Sequence, residues 1–382
     1  MRDQLLGRTP KDYDVASDAP PEEVRKLFGR RRTLAIGQAF GVITVLGPRE
    51  AGQIEIAAFR QDGDYSDGRH PDEVIFGGPE EDAARRDFTI NGLFFDPLEE
   101  RVIDYVQGQD DLQKRLVRAI GDPHQRIEED KLRMLRAVRF ASVFEFAIEA
   151  ETLAAIRQRA QEIHVVSGER IAAELRKMLA PSTRAVALRL LKAADLLRFI
   201  LPEADLAGPQ YEETLRILES LPVDSFPLAW AALLRNCGAE KQREKKVSQI
   251  GRRLKLSNEE INEAVFVLRH QAAIRSPHRP PWPRLQRILI EPRIASLLDY
   301  CQAAAAAAGE DGANVAFCRE RLQWPAEQLN PSPLLTGDDL RAAGLPPGPL
   351  YRQLLEGVRD EQLEGRLSSP EEALQWALAF IK

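Results

Sequence analysis

The spacing of apolar and polar residues predicts a mixed first part of the chain. Residues 42–46 and 53–57 are short, β-branched runs separated by turn residues, which predicts two neighbouring strands. Residues 20–28 follow proline and aspartate start signals and have apolar positions at helical spacing, which predicts a helix. Residues 58–82 are polar and rich in glycine, which predicts a long loop.

The rest of the chain has a helical pattern. Apolar residues recur at helical spacing from Arg126 onward, and a further helix is predicted to begin at Ser167 and continue to Leu179. Proline-rich joints at 277–283 and 330–333 divide the remaining helices, one of which contains the alanine run 303–308. The pattern predicts the α+β class, with a compact mixed head followed by an extended helical remainder.

Length and composition place the chain among ordinary globular proteins. The 382 residues allow two to four domains, and 44% hydrophobic residues support apolar cores. No apolar run approaches the roughly 20 residues that span a bilayer, and no secretory signal is predicted. The cysteines are widely spaced and form no C-x-x-C pair, so we expect buried thiols in the cytoplasm and no zinc site. They are Cys237, Cys301 and Cys318.

The net charge of −6 argues against a surface that binds nucleic acid indiscriminately, although basic residues can be gathered on one face. Two basic clusters stand out, at 30–32 and within 241–255. Each is either an RNA-binding surface or a solvated helix face or loop.

Two carboxylates near the start are candidate metal ligands. Asp12 and Asp14 alternate along a predicted extended segment, so their side chains point to the same face. Such a pair can bind one or two hard cations such as Mg²⁺. A strand end followed by a solvated aspartate turn remains an alternative, as does the metal site of a sugar-nucleotide glycosyltransferase.

A second polar segment has the composition of a nucleotide site. Arg85 to Asn91 combines two guanidinium groups, a carboxylate and an amide with apolar residues between them. Arginine suits a phosphate or a base edge, aspartate a ribose hydroxyl, and asparagine a polar atom of the triphosphate.

Residues 129–140 carry a third charged pattern. Asp130 precedes Arg133 by three positions, and Arg133, Arg136 and Arg139 repeat every three residues. A helix through Asp130 and these arginines would place them on one slowly drifting stripe. Taken alone, the stripe is also what a charged helix face with internal ion pairs would give.

These motifs together resemble one known family. Leu5 to Asp14 followed by Arg85 to Gly92 resembles the head domain of class II tRNA nucleotidyltransferases, which are the CCA-adding enzymes and their bacterial poly(A) polymerase relatives. The Glu129-Asp130-x-x-Arg133 segment matches a further family motif. Further local matches lie at 116–123 and 168–171, and weaker ones lie at 253–259 and 335–349.

The resemblance implies a four-part organisation. A polymerase-beta-like nucleotidyltransferase head is expected at 1–122, followed by a helical neck at 123–180 that selects the base. A helical body at 181–275 and a helical tail at 276–382 are expected to hold the tRNA. Gly168 to Ile171 resembles the neck segment whose Glu169 and Arg170 brace the base-selecting helix.

The resemblance also implies the roles of the candidate residues. Asp12 and Asp14 would be the catalytic metal ligands for Mg²⁺. Glu55 would add a third catalytic carboxylate from a neighbouring strand, unless it is a surface glutamate. The implied nucleotide contacts are Arg2, Arg86, Asp87, Asn91, Asp130, Arg133, Arg136 and Arg139. Among these, Asp130 and Arg133 would read the Watson–Crick edge of the base, and Arg136 and Arg139 would reach phosphate.

The implied activity is template-independent addition of CCA to tRNA 3′ ends from CTP and ATP, with release of pyrophosphate. Tyr65 to Pro71 resembles the flexible loop needed for the switch to A addition. An A-adding enzyme or a poly(A) polymerase remains an alternative. So does a non-catalytic RNA-binding remnant, because the family's paired glycines before Arg2 are missing from this sequence. Leu233 to Asn236 replaces the His-Asp signature of some relatives, so no phosphohydrolase activity is expected.

Overall fold

The chain folds into two compact units, Met1–Pro202 and Glu203–Lys382. The computed structural model describes residues 1–10, 13–38, 41–48, 52–62, 74–204 and 206–381. All strands of these residues lie in the first unit, whereas the second is helical, so the predicted α+β class is confirmed. The boundary between the units falls inside the predicted body, and the four-part division stays a prediction. Within the described ranges, no helix is long and apolar enough to cross a bilayer.

The strands of the first unit are short and form a mixed sheet and three small pairs. Their bounds are β1 Asp14–Ser17, β2 Thr33–Leu34, β3 Val42–Leu46, β4 Gln53–Ala58, β5 Arg60–Asp62, β6 Val74–Phe76, β7 Leu93–Asp96, β8 Arg101–Asp104, β9 Leu116–Val117 and β10 Ala147–Ile148. The sheet has the order β1-β4-β3-β2, in which β1 runs parallel to β4 and the other neighbours are antiparallel. The remaining pairs are β5–β6, β7–β8 and β9–β10. The predicted strands at 42–46 and 53–57 are thus confirmed as β3 and β4.

Helices make up the rest of the first unit. Their bounds are α1 Arg2–Leu5, α2 Pro21–Phe28, α3 Pro79–Ala84, α4 Gly108–Gln113, α5 Pro123–Glu129, α6 Arg133–Phe144, α7 Ala150–Arg159, α8 Gly168–Leu179, α9 Arg184–Ala193 and α10 Leu197–Ile200. The predicted helix at 20–28 is confirmed as α2, whose first residue is a proline that needs no backbone N–H there. The predicted helix from Ser167 is confirmed as α8, with Ser167 at the N-cap.

The two faces of the mixed sheet differ. Helix α2 covers one face, where Val24 packs with Ile43 and Val45. Side chains alternate along a strand, so Glu55 of β4 points to the opposite face from its apolar neighbours. The register pairs Asp14 with Glu55 and Glu55 with Thr44, and these three residues therefore lie in a row on the face away from α2.

The predicted loop over 58–82 is wrong at both of its ends. Strand β5 pairs with β6, and α3 begins at Pro79. This pairing joins residues more than ten positions apart, so local polarity and glycine content could not reveal it. The segment from Tyr65 to Pro71 lies outside the described residues.

The predicted continuous helix through Asp130 is also wrong. Helix α5 ends at Glu129, and Asp130 is extended, with φ −149° and ψ 108°. Its side-chain oxygen accepts a hydrogen bond from the Leu132 N–H at 3.0 Å, which competes with helix formation as aspartate side chains often do. Helix α6 starts at Arg133. Within α6, the every-third-residue arginines are half-buried while the positions between them are buried, so the predicted stripe is confirmed there.

The second unit is a succession of packed helices. Their bounds are α11 Gly208–Ser220, α12 Phe226–Leu234, α13 Glu240–Arg253, α14 Asn258–Arg275, α15 Trp282–Leu289, α16 Ile294–Ala308, α17 Ala313–Arg321, α18 Ala326–Leu329, α19 Gly337–Ala342, α20 Pro349–Leu363 and α21 Pro370–Phe380. The predicted joint at 277–283 covers the segment between α14 and α15 and the first two residues of α15. The joint at 330–333 lies between α18 and α19, and the alanine run lies in α16. All three cysteines are buried free thiols, as predicted.

Candidate nucleotide and metal site

Two exposed carboxylates stand side by side at the edge of the mixed sheet. Asp14 is the first residue of β1, and its register partner on β4 is Glu55. Neighbouring strands lie roughly 4.8 Å apart, so the two side chains share one patch of the sheet face. Neither makes a hydrogen bond or ion pair with another described residue. Asp12 lies outside the described residues, and among the described ones no group of three or more histidine, cysteine or acidic side chains is arranged to hold a metal ion.

Asp82 holds both arginines of the Arg85-Arg86 pair. Its carboxylate is 2% exposed. One oxygen accepts from Arg85 at 2.6 and 2.9 Å, and the other accepts from Arg86 at 2.9 and 3.2 Å. Arg86 also donates to the backbone carbonyl of Asn91 at 2.8 Å and lies over the Phe94 ring. The guanidinium of Arg86 is therefore fixed before any ligand arrives.

Asp87 joins this segment to α6. One of its oxygens accepts from the side-chain amide of Asn91 at 2.8 Å and from the Phe88 N–H at 2.9 Å. The other accepts two bonds from Arg136, at 2.7 and 2.6 Å. Burial opposes ionisation of this carboxyl, but the charge of Arg136 and the donated hydrogen bonds outweigh burial, so its pKa lies below the ordinary value. The same pairing, against the effect of burial, raises the pKa of Arg136.

Arg2 approaches the same cluster from the start of the chain. It donates to the side-chain oxygen of Asn91 and lies over the rings of Phe140 and Phe144. Burial lowers the pKa of the nearby Met1 amino group, on which the charges of Arg86 and Asp14 also act. Asp14 and Arg86 thus both lie near the amino group of Met1.

Asp130 and Arg133 are brought close by the turn between α5 and α6. Arg170 of α8 donates to Asp130 at 2.7 Å. Arg133 forms an ion pair with Glu129 and donates to the backbone carbonyl of Arg126 at 3.0 Å. The brace predicted for Arg170 is present, whereas Glu169 is exposed and makes no side-chain hydrogen bond to another described residue.

Arg139 is fixed from α8 as well. It pairs with Glu174, which is 3% exposed, and lies 3.9 Å from the ring centroid of Phe140. Burial lowers the pKa of Arg139, against the opposing effect of Glu174. Each of the three α6 arginines therefore has its own carboxylate partner: Glu129, Asp87 and Glu174.

Sequence reasoning missed two of the residues that hold the site. Asp82 gave no motif signal, although an aspartate three and four positions before two arginines on a helix is a recognisable ion-pair spacing. Glu174 follows Arg170 by one helical turn, so the same face of α8 supplies both braces. The nucleotide roles of Arg2, Arg86, Asp87, Asn91, Asp130, Arg133, Arg136 and Arg139 stay predictions, as do the catalytic roles of Asp12, Asp14 and Glu55.

Comparison with known proteins identifies two regions of the chain. Residues 1–118 match the poly A polymerase head domain, and residues 145–207 match the probable RNA and SrmB-binding site of polymerase A. A CCA-adding enzyme of Geobacillus kaustophilus is 33% identical over 94% of this chain and 85% of its own length. A CCA-adding enzyme of Lactiplantibacillus plantarum is 31% identical over 98% of this chain and 89% of its own length.

Similarity to solved structures covers both units. The crystal structure of the Bacillus stearothermophilus CCA-adding enzyme in complex with CTP superposes with a TM-score of 0.75 at 28% identity, over 99% of this chain and 90% of the other. Three observations support the same family assignment. They are the order of the motifs, the pairing of Asp14 with Glu55, and the similarity to relatives that span most of the chain. The chain belongs to the CCA-adding enzymes, a family of metal-dependent nucleotidyltransferases.

Proposed function

We propose that this protein adds CCA to the 3′ ends of tRNA from CTP and ATP and releases pyrophosphate. The observation that carries this proposal is the network around Asp87, in which hydrogen bonds hold Arg2, Asn91 and Arg136 in the same unit as the exposed carboxylates of Asp14 and Glu55. Family membership supplies the reaction, and the network supplies a preorganised place for it. We place the activity in the cytoplasm, in keeping with three reduced, buried thiols.

The metal that we propose is Mg²⁺. Asp14 and Glu55 are exposed and have no side-chain partner among the described residues. Their carboxylate oxygens are the ligands that a hard cation prefers, and Asp12 would complete the set. When bound, such an ion neutralises charge on the attacking and leaving oxygens of nucleotidyl transfer.

The arginine cluster is proposed to bind the nucleotide. A carboxylate offers about four acceptor positions, and Asp87 already accepts four bonds from Phe88, Asn91 and Arg136. Asp87 therefore acts mainly by positioning Asn91 and Arg136. The remaining N–H groups of Arg2, Arg86 and Arg136 are the donors available to phosphate oxygens.

Base selection is proposed for Asp130 and Arg133. Arg170 occupies one Asp130 oxygen, and the Leu132 N–H occupies the other, which leaves further lone pairs on each. Arg133 is anchored by Glu129 but retains N–H groups of its five-donor guanidinium. An acceptor and a donor set side by side can pair with the edge of a base without a nucleic-acid template.

The rival products differ in nucleotide use. The two relatives described above span most of this chain and are CCA-adding enzymes, which favours CCA over poly(A) or A-only addition. The test incubates the protein with tRNA that lacks CCA, using CTP alone, ATP alone, or both, and resolves products at single-nucleotide length. We expect two added residues with CTP alone and three with both. Extension by ATP alone would instead indicate an A-adding enzyme or a poly(A) polymerase, and no extension would indicate an RNA-binding remnant.

A further inference from the structure

Two phenylalanines of α6 lie among the arginines of the candidate nucleotide site. Phe140 and Phe144 are one helical turn apart, so they share one face of the helix. Their rings are stacked, with centroids 6.2 Å apart and an interplanar angle of 5°. Both side chains are buried, with 5% and 9% of their surface exposed. We call this pair of rings the aromatic platform.

Two arginines hold the start of the chain against the aromatic platform. Arg2 lies 4.8 Å from the ring centroid of Phe140 and 4.6 Å from that of Phe144. Arg8 lies 4.8 Å from the Phe144 centroid and donates to the backbone carbonyl of Val143 at 3.2 Å. These distances are within the roughly 6 Å at which a ring face attracts a cation. Cation–π contacts therefore join α1 and the segment after it to α6.

Arginines of α6 itself approach the same rings. Arg136 lies 5.4 Å and Arg139 lies 3.9 Å from the Phe140 centroid. Burial lowers the pKa of Arg139, and the charge of Arg136 lowers it further, against the opposing effect of Glu174. Positive charges are thus crowded around Phe140, and the negative face of its ring attracts them.

Contact with a ring face differs from an ion pair because it uses none of the N–H groups of an arginine. Among the described residues, Arg139 donates only through Nε, to Glu174. Arg2 donates through Nε to Asp3 and through one terminal nitrogen to Asn91. A guanidinium has five N–H donors. Both arginines are therefore held in place while most of their terminal N–H groups have no acceptor in the part of the chain that the structure describes.

The aromatic platform and the Asp87 network hold two of the same arginines. Arg2 reaches Asp87 through Asn91, and Arg136 reaches it directly. Phe140 contacts both of these guanidinium groups. Each of the two arginines is thus fixed by hydrogen bonds and by a ring, so little conformational entropy remains to be lost when it binds a ligand.

We propose that Phe140 and Phe144 position the arginines that bind the triphosphate of the incoming nucleotide. Guanidinium groups that are held without using their terminal N–H groups can donate to phosphate oxygens, since no other acceptor has to be displaced. The triphosphate is common to CTP and ATP, so the aromatic platform supports binding of both alike and leaves base selection unchanged. This inference rests on the proposed function and adds two positioning residues to it.

The test weakens the ring faces and preserves the shape of the side chains. Phenylalanine carrying one, two or three ring fluorines is incorporated at position 140, and separately at position 144, of the full chain. Fluorine withdraws electrons from the ring face and reduces its attraction for a cation with little change in size. Phe146 is the matched control, because it is 6% exposed and packs against Phe144, and no arginine lies over its ring among the described residues.

The measurements are KM and kcat for the four nucleotides with tRNA acceptors that lack CCA or end in CC, together with thermal melting. Three fluorines at position 140 should raise KM for CTP and ATP by about fivefold to tenfold, in steps that follow the number of fluorines. The kcat values and the relative use of the four nucleotides should stay near those of the wild type, because the lost interaction is common to all nucleotides. Fluorination at position 146 should change none of these values, and all proteins should melt alike.

Fluorination at position 144 should have the same effect on KM, but a smaller one. Of the proposed nucleotide contacts, Phe144 contacts Arg2, whereas Phe140 contacts three arginines. In an Arg2→Ala background, fluorination at position 144 should therefore change KM little, because the arginine through which this ring acts is absent.

The outcomes separate this inference from the proposed function. If the wild type extends tRNA and fluorination leaves KM unchanged, the rings serve packing alone, the inference is wrong and the function stands. A fall in melting temperature and kcat without a graded rise in KM would likewise show a structural role and overturn the inference. Unequal changes for CTP and ATP would place the rings in base selection and contradict it. A wild type that neither binds CTP nor extends tRNA overturns both.

Discussion

The charges left without partners have opposite signs in the two units. In the first unit, the arginines of α6 are paired with carboxylates, whereas Asp14 and Glu55 are free among the described residues. In the second unit, Arg279 and Arg284 are exposed and make no ion pair or side-chain hydrogen bond with another described residue. A pair of carboxylates without partners can bind a cation, and arginines without partners can bind an anion. The fold therefore prepares the two units for different ligands.

Pairing also changes what an arginine can do. Arg136 is held by Asp87 in a single orientation, so little side-chain entropy remains to be lost when a ligand binds. Arg279 and Arg284 are exposed and have no such partner among the described residues, so their side chains would lose more conformational entropy on binding an anion. The held arginines should thus matter for geometry and stability, and the free charges for affinity and chemistry.

The largest effect should come from removing a free carboxylate. Asp14→Ala should lower nucleotide incorporation by about a thousandfold or more, which is about 4 kcal/mol in the barrier, because it removes a proposed metal ligand. The melting temperature should stay near that of the wild type, since Asp14 holds no described partner. Single-turnover incorporation of CTP measures the first effect. Asp110→Ala, which removes an exposed carboxylate on α4, is the control. Near-normal turnover in Asp14→Ala would show that this free carboxylate is not a catalytic metal ligand.

Removing a held carboxylate should act on the fold. Asp87 is 7% exposed, and Asp87→Ala leaves Arg136 partly buried without its partner, so we expect a loss of about 3–5 kcal/mol in the free energy of unfolding. Urea denaturation followed by far-UV circular dichroism measures this loss. The same substitution at exposed Asp110 should change stability by no more than about 0.5 kcal/mol. Equal stabilities of the two variants would show that the Asp87–Arg136 pair does not support the fold.

A smaller, selective effect is expected at the base-selecting turn. Arg133→Ala should change relative use of the four nucleotides by about ten- to hundredfold, because a lost bidentate contact costs about 1–3 kcal/mol of discrimination. The measurement is kcat/KM for CTP, ATP, UTP and GTP. Arg157→Ala on α7, which removes an exposed arginine that donates to a backbone carbonyl, is the control. Equal slowing with all four nucleotides would mean that Arg133 serves structure or phosphate binding.

The smallest effect should appear in the acid range. The pKa of Asp87 lies below its ordinary value of roughly 3.9, so the ionised carboxylate stabilises the protein above that pH. This contribution is lost as the pH falls from there through the folded-state pKa. The wild type should therefore lose melting temperature below about pH 4 more steeply than Asp87→Asn, which has no carboxyl to protonate. Parallel melting curves for the two proteins between about pH 3 and pH 5 would show that Asp87 makes no such contribution.

Local patterns were enough for elements that form from neighbouring residues. The helix at α2 and the strands β3 and β4 follow from apolar periodicity and turn residues, and the stripe on α6 follows from spacing alone. The sequence pattern did not predict the turn at Asp130, because the charged residues around it continue at helical spacing. There, one side-chain hydrogen bond to Leu132 decided against the helix.

The sequence by itself determined the family, the α+β class and the candidate site residues, because motifs and periodicity are written in order along the chain. Only the tertiary structure decided which charges are neutralised. Glu174 gave no local signal of its pairing with Arg139, and the spacing of Asp82 from Arg85 and Arg86 did not show that its carboxylate is buried, since both roles depend on what packs around them. An ion pair forms between side chains a few ångströms apart in space, and the fold alone sets that distance.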